Sequence, residues 1–164
     1  MPVLPPVIAA AFAWLHLLAV GLGAGLLISE YWLGRQPPSR AQAKLLGQVD
    51  LGYQLSLIGV LATGLARVLY YGQDPGYYLD NRLFWLKFSL FLALAAISVV
   101  PSVQYLRWNR AARTAPAFAP LTREIDRVRA AVAIGLGLWL ILPLIAVLVA
   151  RGYGVSQAST PWPF

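Results

Sequence analysis

The chain has 164 residues, 59% of them hydrophobic and only 12% charged, with a mean hydropathy of +0.66. A soluble domain carries about 25% charged residues, so a water-solvated globule is excluded. Cysteine is absent, which excludes disulfides, thiolate metal sites and thiol catalysis.

Four stretches are apolar over the roughly 20 residues needed to cross a bilayer: approximately 7–29, 49–71, 83–106 and 128–150. The expected fold is therefore all-α, a polytopic membrane protein folded as one four-helix transmembrane bundle. The first stretch follows MPVLPP, lacks a basic flank and is long, so it reads as a span and not as a cleavable signal peptide. It carries His16, the only histidine, beside Trp14. Gly21 and Gly25 form a GxxxG pair around Gly23, expected where helices approach closely in lipid. Gly59, Gly64, Gly135 and Gly137 are read in the same way.

The connection GRQPPSRAQAK has turn chemistry followed by a short polar stretch into the second span. That span holds Asp50 and Gln54 near its start, expected to form one polar group with Glu30. The two acids are expected to cap helix ends or pair with Arg35, Lys44 or Arg107. Arg67 lies near the other end of the span. The loop GQDPGYYLDN, with Tyr70, Tyr71 and Trp85, reads as an interfacial aromatic belt. The third span opens with FWLKFSLF, which places Lys87 inside an apolar run. The segment APAFAPLTREIDRVRA is a Pro-rich loop leading to a helix start near Thr122. The fourth span contains Trp139, read with Trp14 as packing, and Pro143, which with Pro101 marks a possible kink site. ARVLYYG after the second span and ARGYG after the fourth echo each other and hint at two related hairpins. The Pro-bearing tail beyond them is expected along the outer surface.

Charge orients the bundle. Nine of the thirteen basic residues (Arg35, Arg40, Lys44, Arg107, Arg110, Arg113, Arg123, Arg127 and Arg129) fall at one end. The positive-inside rule puts that end in the cytoplasm and both termini outside, N-out/C-out. The same distribution explains the net charge of +7 without nucleic acid. The lipid bilayer is the expected partner, a bacterial cytoplasmic (inner) membrane the expected location, and a homodimer is left open.

Ionisable groups inside a membrane cost roughly 2.5–3.5 kcal/mol each, so their depths matter. At 1.5 Å of helix rise per residue, His16 lies about 13 Å below the outer boundary, and Arg67 and Lys87 about 6 Å below it. Arg82 and Arg151 lie at the boundary. A histidine with cations above it suits an anionic planar cofactor. Haem b fits, with His16 as iron ligand and Arg67, Lys87 and Arg151 near its propionates. With one histidine, haem would be five-coordinate, ligated secondarily by Lys87, or shared across a dimer. Against this stands a bland reading, in which Lys87 pairs with Asp74 or Asp80 and His16 donates across the core.

AFAWLHLLA, YYLDNRLFWLKFSLF, SVVPSVQYLRW and VARGYG together resemble a family of uncharacterised bacterial four-helix membrane proteins, over about residues 10–155. More distantly, the layout is similar to HemJ-type protoporphyrinogen oxidases and CopD-like membrane proteins. HemJ-type proteins bind haem b and pair a histidine of the first helix with a lysine early in a later helix. His16 and Lys87 match those positions, which implies them as catalytic candidates for porphyrin oxidation. The alternatives are a non-enzymatic structural or accessory membrane protein without cofactor and, third, small-anion transport.

Overall fold

The computed structural model describes residues 5–73, 75–114 and 118–155. The helices are α1 (Pro6–Leu33), α2 (Arg40–Ala66), α3 (Pro75–Leu79), α4 (Arg82–Thr114) and α5 (Thr122–Ala150), with a π-helical turn, Arg67–Tyr71, continuing α2. All except α3 are long and apolar enough to cross a membrane. The chain is an all-α, four-helix membrane bundle. Its spans form a ring in the order α1, α2, α4, α5, and the ring closes where α5 meets α1, the thinnest of the four contacts.

The core lies along the bundle axis, where Leu27, Leu46, Tyr53, Leu94, Tyr105, Val132 and Trp139 are buried. The outward faces are equally apolar, with Leu17, Leu55, Leu140 and Leu144 largely exposed. A helix apolar all round needs a buried or lipid environment, and these outward faces meet lipid.

At the arginine-rich end the helices outrun the apolar runs. α2 begins at Arg40 and not near Val49, because Ser39 caps it. The Gln42 N–H donates to Ser39 Oγ at 3.3 Å, and the Ser39 N–H donates back to Gln42 Oε1 at 2.9 Å, a capping box. The polar stretch before the second span is thus already helix. α4 continues to Thr114, and Trp108 Nε1–H donates to Glu124 Oε2 at 3.1 Å, tying α4 to α5. Arg129 donates to the carbonyls of Gly34 and Arg35, fastening the end of α1 to α5. The start of α5 falls at Thr122 as expected, with Leu121 at the N-cap and Glu124 in the first turn.

The opposite end is closed by Asn81, which is fully buried. Its Oδ1 accepts from the N–H groups of Leu83 and Phe84 at 2.9 and 3.2 Å, capping α4. Its Nδ2 donates to the Tyr153 carbonyl at 3.0 Å, and the Arg82 N–H donates to the Gly154 carbonyl at 3.0 Å. The turn that meets it needs glycine, since φ is +85° at Gly152 and +88° at Gly154. The echo of this turn after α2 is a different structure. There Arg67–Tyr71 forms a π turn, and Gly72 has φ −83°. Of the expected aromatic belt, Tyr70 and Trp85 are exposed but Tyr78 is buried. Tyr77 turns inward and donates to the Val149 carbonyl at 2.5 Å. Asp74 and the tail from residue 156 lie outside the described residues.

The glycines correct the packing expectation. Nothing lies within 4 Å of a Cβ placed at Gly21, Gly25 or Gly137, whereas one at Gly23 would meet Trp139 at 2.5 Å and Ser56 Oγ at 2.7 Å. The close approach is at the centre of the GxxxG pair, not at its ends.

Candidate functional site

A cavity of about 360 Å³ opens into the bundle in the half away from the arginines. Small-ligand sites run from about 300 Å³ upward. All four spans contribute. α1 supplies His16, α2 supplies Val60 and Gly64, and the π turn supplies Arg67. α4 supplies Phe84, Lys87, Phe88 and Phe91, and α5 supplies Trp139 and Pro143. The walls are therefore aromatic and aliphatic, with three basic side chains, His16, Arg67 and Lys87, set among them.

His16 is held by a group that its sequence neighbours do not reveal. Its Nδ1 lies 2.8 Å from Thr63 Oγ1. The Thr63 hydroxyl donates its single proton to the Gly59 carbonyl at 2.6 Å, the usual back-bond of a helical threonine. The oxygen can then only accept from His16. Nδ1 therefore carries the proton, and Nε2 keeps its lone pair on a ring that lines the cavity. Gly64 leaves room for that ring, since a Cβ there would stand 3.5 Å from His16 Cε1.

Lys87 and Arg67 supply positive charge without a matching acid among the described residues. Lys87 Nζ sits 5.4 Å from the Phe84 ring centroid, a cation–π distance. Among the described residues neither Lys87 nor Arg67 forms an ion pair, in contrast to Arg129, which pairs with Asp126 at 3.6 Å. Lys87 therefore does not pair with Asp80, and Asp74, its other expected partner, lies outside the described residues. Arg67 opens the π turn, an irregularity frequent at functional sites. Pro143 lies inside α5 and has no N–H for the Trp139 carbonyl.

The structure brings His16, Arg67 and Lys87 to one cavity. Arg151 ends α5 as an exposed residue and does not line it. Trp139 is buried and packs on Tyr53, as a packing residue should, and also lines the cavity. Trp14 points outward, 61% exposed, and packs in no core. Thr63, Phe88 and Phe91 escaped notice in the sequence. Aromatic residues in an apolar run carry no signal, and Thr63 is marked only by standing four residues after Gly59.

The second polar group forms as expected but with other partners. Asp50 Oδ1 accepts from Ser102 Oγ at 2.8 Å and from Gln54 Nε2 at 3.3 Å, and Gln54 Nε2 also donates to Ser102 Oγ at 2.9 Å. Neither Glu30 nor Asp50 pairs with Arg35, Lys44 or Arg107 among the described residues.

Fold and cavity together define a four-span helical membrane protein with an intramembrane ligand-sized site. Over residues 8–154 the chain matches the model of a family described as predicted membrane protein, DUF2214, and it belongs to that family. No curated protein and no solved structure matches it.

Proposed function

We propose that the cavity binds a planar apolar molecule carrying carboxylates, and that this molecule is haem b or a related porphyrin. One observation carries the reading. A histidine bonded to Thr63 shares an aromatic-walled cavity with two cations that have no carboxylate partner among the described residues.

The residues fit the group. A neutral imidazole whose other nitrogen is tied to an acceptor is a standard axial ligand, and His16 is in that state. Lys87 and Arg67 suit two carboxylates, since charge-assisted pairs are strong where water is scarce. Phe84, Phe88 and Trp139 offer faces for a planar ring. Haem, when bound, supplies one-electron and oxygen chemistry. The protein's share is to ligate through His16, orient through Lys87 and Arg67, and exclude water with its aromatic walls. The resemblance to HemJ-type enzymes makes porphyrin oxidation the activity to assay. The positive-inside rule, applied to the arginine-rich end, supports reading the cavity as lying in the outer half of a bacterial cytoplasmic membrane. The alternative is a structural or accessory membrane protein without cofactor, in which Lys87 pairs with a loop aspartate; Asp80 does not pair with it, and Asp74 lies outside the described residues.

The test is a fluorescence titration of the detergent-solubilised protein with metal-free protoporphyrin. Saturable binding is expected, weakened about tenfold or more by Lys87→Gln, the loss of one hydrogen-bonded charge pair. Absence of saturable binding to the wild type, or binding unchanged in a Lys87→Gln/Arg67→Gln protein, would overturn it.

A further inference from the structure

We infer that Glu30, Asp50, Tyr53 and Tyr105 form a second site, an intramembrane oxygen cage for a small monovalent cation, either a proton or Na⁺. It is separate from the porphyrin cavity and does not depend on it.

Glu30 is 1% exposed, as are Tyr53 and Tyr105. Both Glu30 carboxyl oxygens and both phenol oxygens are buried without a well-formed hydrogen bond, although Glu30 and Tyr105 stand close enough to interact as acceptor and donor. The two phenols stand close enough to Glu30 and Asp50 to interact with them electrostatically. Three helices thus gather buried polar atoms in one place with fewer hydrogen bonds than such atoms need. Buried polar atoms in native proteins are nearly always paired, and an isolated buried carboxylate costs far more than any packing gain. Something that binds oxygen must neutralise the cluster, and no basic side chain does so among the described residues. The groups facing it from the packed helices are Glu30 on α1, Asp50, Tyr53 and Gln54 on α2, and Ser102 and Tyr105 on α4. α5 contributes Trp139, which packs on Tyr53 and brings no charge.

The ligand class follows from the donors. All are oxygens, which select hard cations over soft ones. Asp50 Oδ1 is already engaged by Ser102 and Gln54. The second Asp50 oxygen, two from Glu30 and two phenols remain, too few for the six to eight oxygens of Ca²⁺. Mg²⁺ would keep several of its waters, which suits poorly a cluster whose Glu30, Tyr53 and Tyr105 are each 1% exposed. A proton or Na⁺ fits.

The experiment is carbodiimide modification of the full-length wild-type protein in detergent, read residue by residue by mass spectrometry across acid to alkaline buffers. This reagent attacks protonated carboxyls in apolar surroundings. Glu30 is expected to form an adduct that fades as the buffer becomes alkaline, and Glu30→Gln is expected to abolish it. If Na⁺ but not choline suppresses the adduct, the cage holds Na⁺ as well as a proton. If neither salt does, it holds a proton alone. Either pattern supports the site. A Glu30 that stays unmodified at every pH, or reacts like exposed Asp126 without pH dependence, would overturn it. That outcome would leave porphyrin binding untouched.

Discussion

Tyr53 and Trp139 pack ring against ring, with centroids 5.7 Å apart and planes tilted by 54°. Trp139 faces the cavity that holds His16 and Lys87, and Tyr53 belongs to the carboxylate cluster. The pair is therefore the wall between the two polar groups of the bundle. The wall stands because Gly23 has no side chain to push Trp139 aside.

Gly23→Ala should accordingly be costly. The new Cβ would meet the Trp139 ring at 2.5 and 2.6 Å, and that ring cannot retreat without displacing Tyr53. Overpacking of this kind costs about 1–3 kcal/mol. Thermal unfolding in detergent should show a clear drop for Gly23→Ala and little change for Gly25→Ala, whose Cβ meets nothing within 4 Å.

Asn81→Ala should loosen the end of the bundle that carries Lys87. It removes a helix cap and the bond to the Tyr153 carbonyl, together about 2 kcal/mol. Limited proteolysis should then cut near Tyr153 sooner than in the wild type. Gly154→Ala should behave alike, because φ is +88° there and the Cβ would stand 2.6 Å from Asn81 Oδ1.

Thr63→Val keeps the shape of the side chain but removes the acceptor for His16 Nδ1–H. Partners of this kind are worth about 10–100-fold in metal affinity. Haem affinity measured by absorption titration should fall by that order, while affinity for metal-free protoporphyrin should change little.

The absence of native cysteine makes the orientation simple to read. A membrane-impermeant maleimide added to intact cells should label Asp80→Cys directly. It should label Arg113→Cys only after permeabilisation, since the positive-inside rule predicts that the arginine-rich end faces the cytoplasm. The opposite pattern would invert the bundle.

The spans were legible because each apolar run is longer than a bilayer needs. Their arginine-rich ends were not, since Arg40, Lys44 and Arg107 look like loop in composition yet belong to helices held by Ser39, Trp108 and Arg129. Helix rise placed His16 below Lys87 and Arg67, and all three line one cavity. Arg151, expected with them, is exposed at the end of α5, where depth along a helix says nothing of direction around it. Glu30 and Asp50 stand near many arginines in the sequence, yet the tertiary packing turns them inward to Tyr105 and Ser102. Thr63 and Asn81 act through bonds to backbone and ring atoms that no periodicity reveals.

The central claim is that His16 ligates a haem held in this cavity. The direct measurement is the visible absorption spectrum of the purified protein after haem addition, before and after dithionite, beside that of His16→Ala. The account predicts a saturable Soret band in the wild type that shifts on reduction. The His16→Ala protein should lose that band while circular dichroism shows its helices intact. A wild-type spectrum without a bound-haem band, or the same band retained in folded His16→Ala, would contradict it.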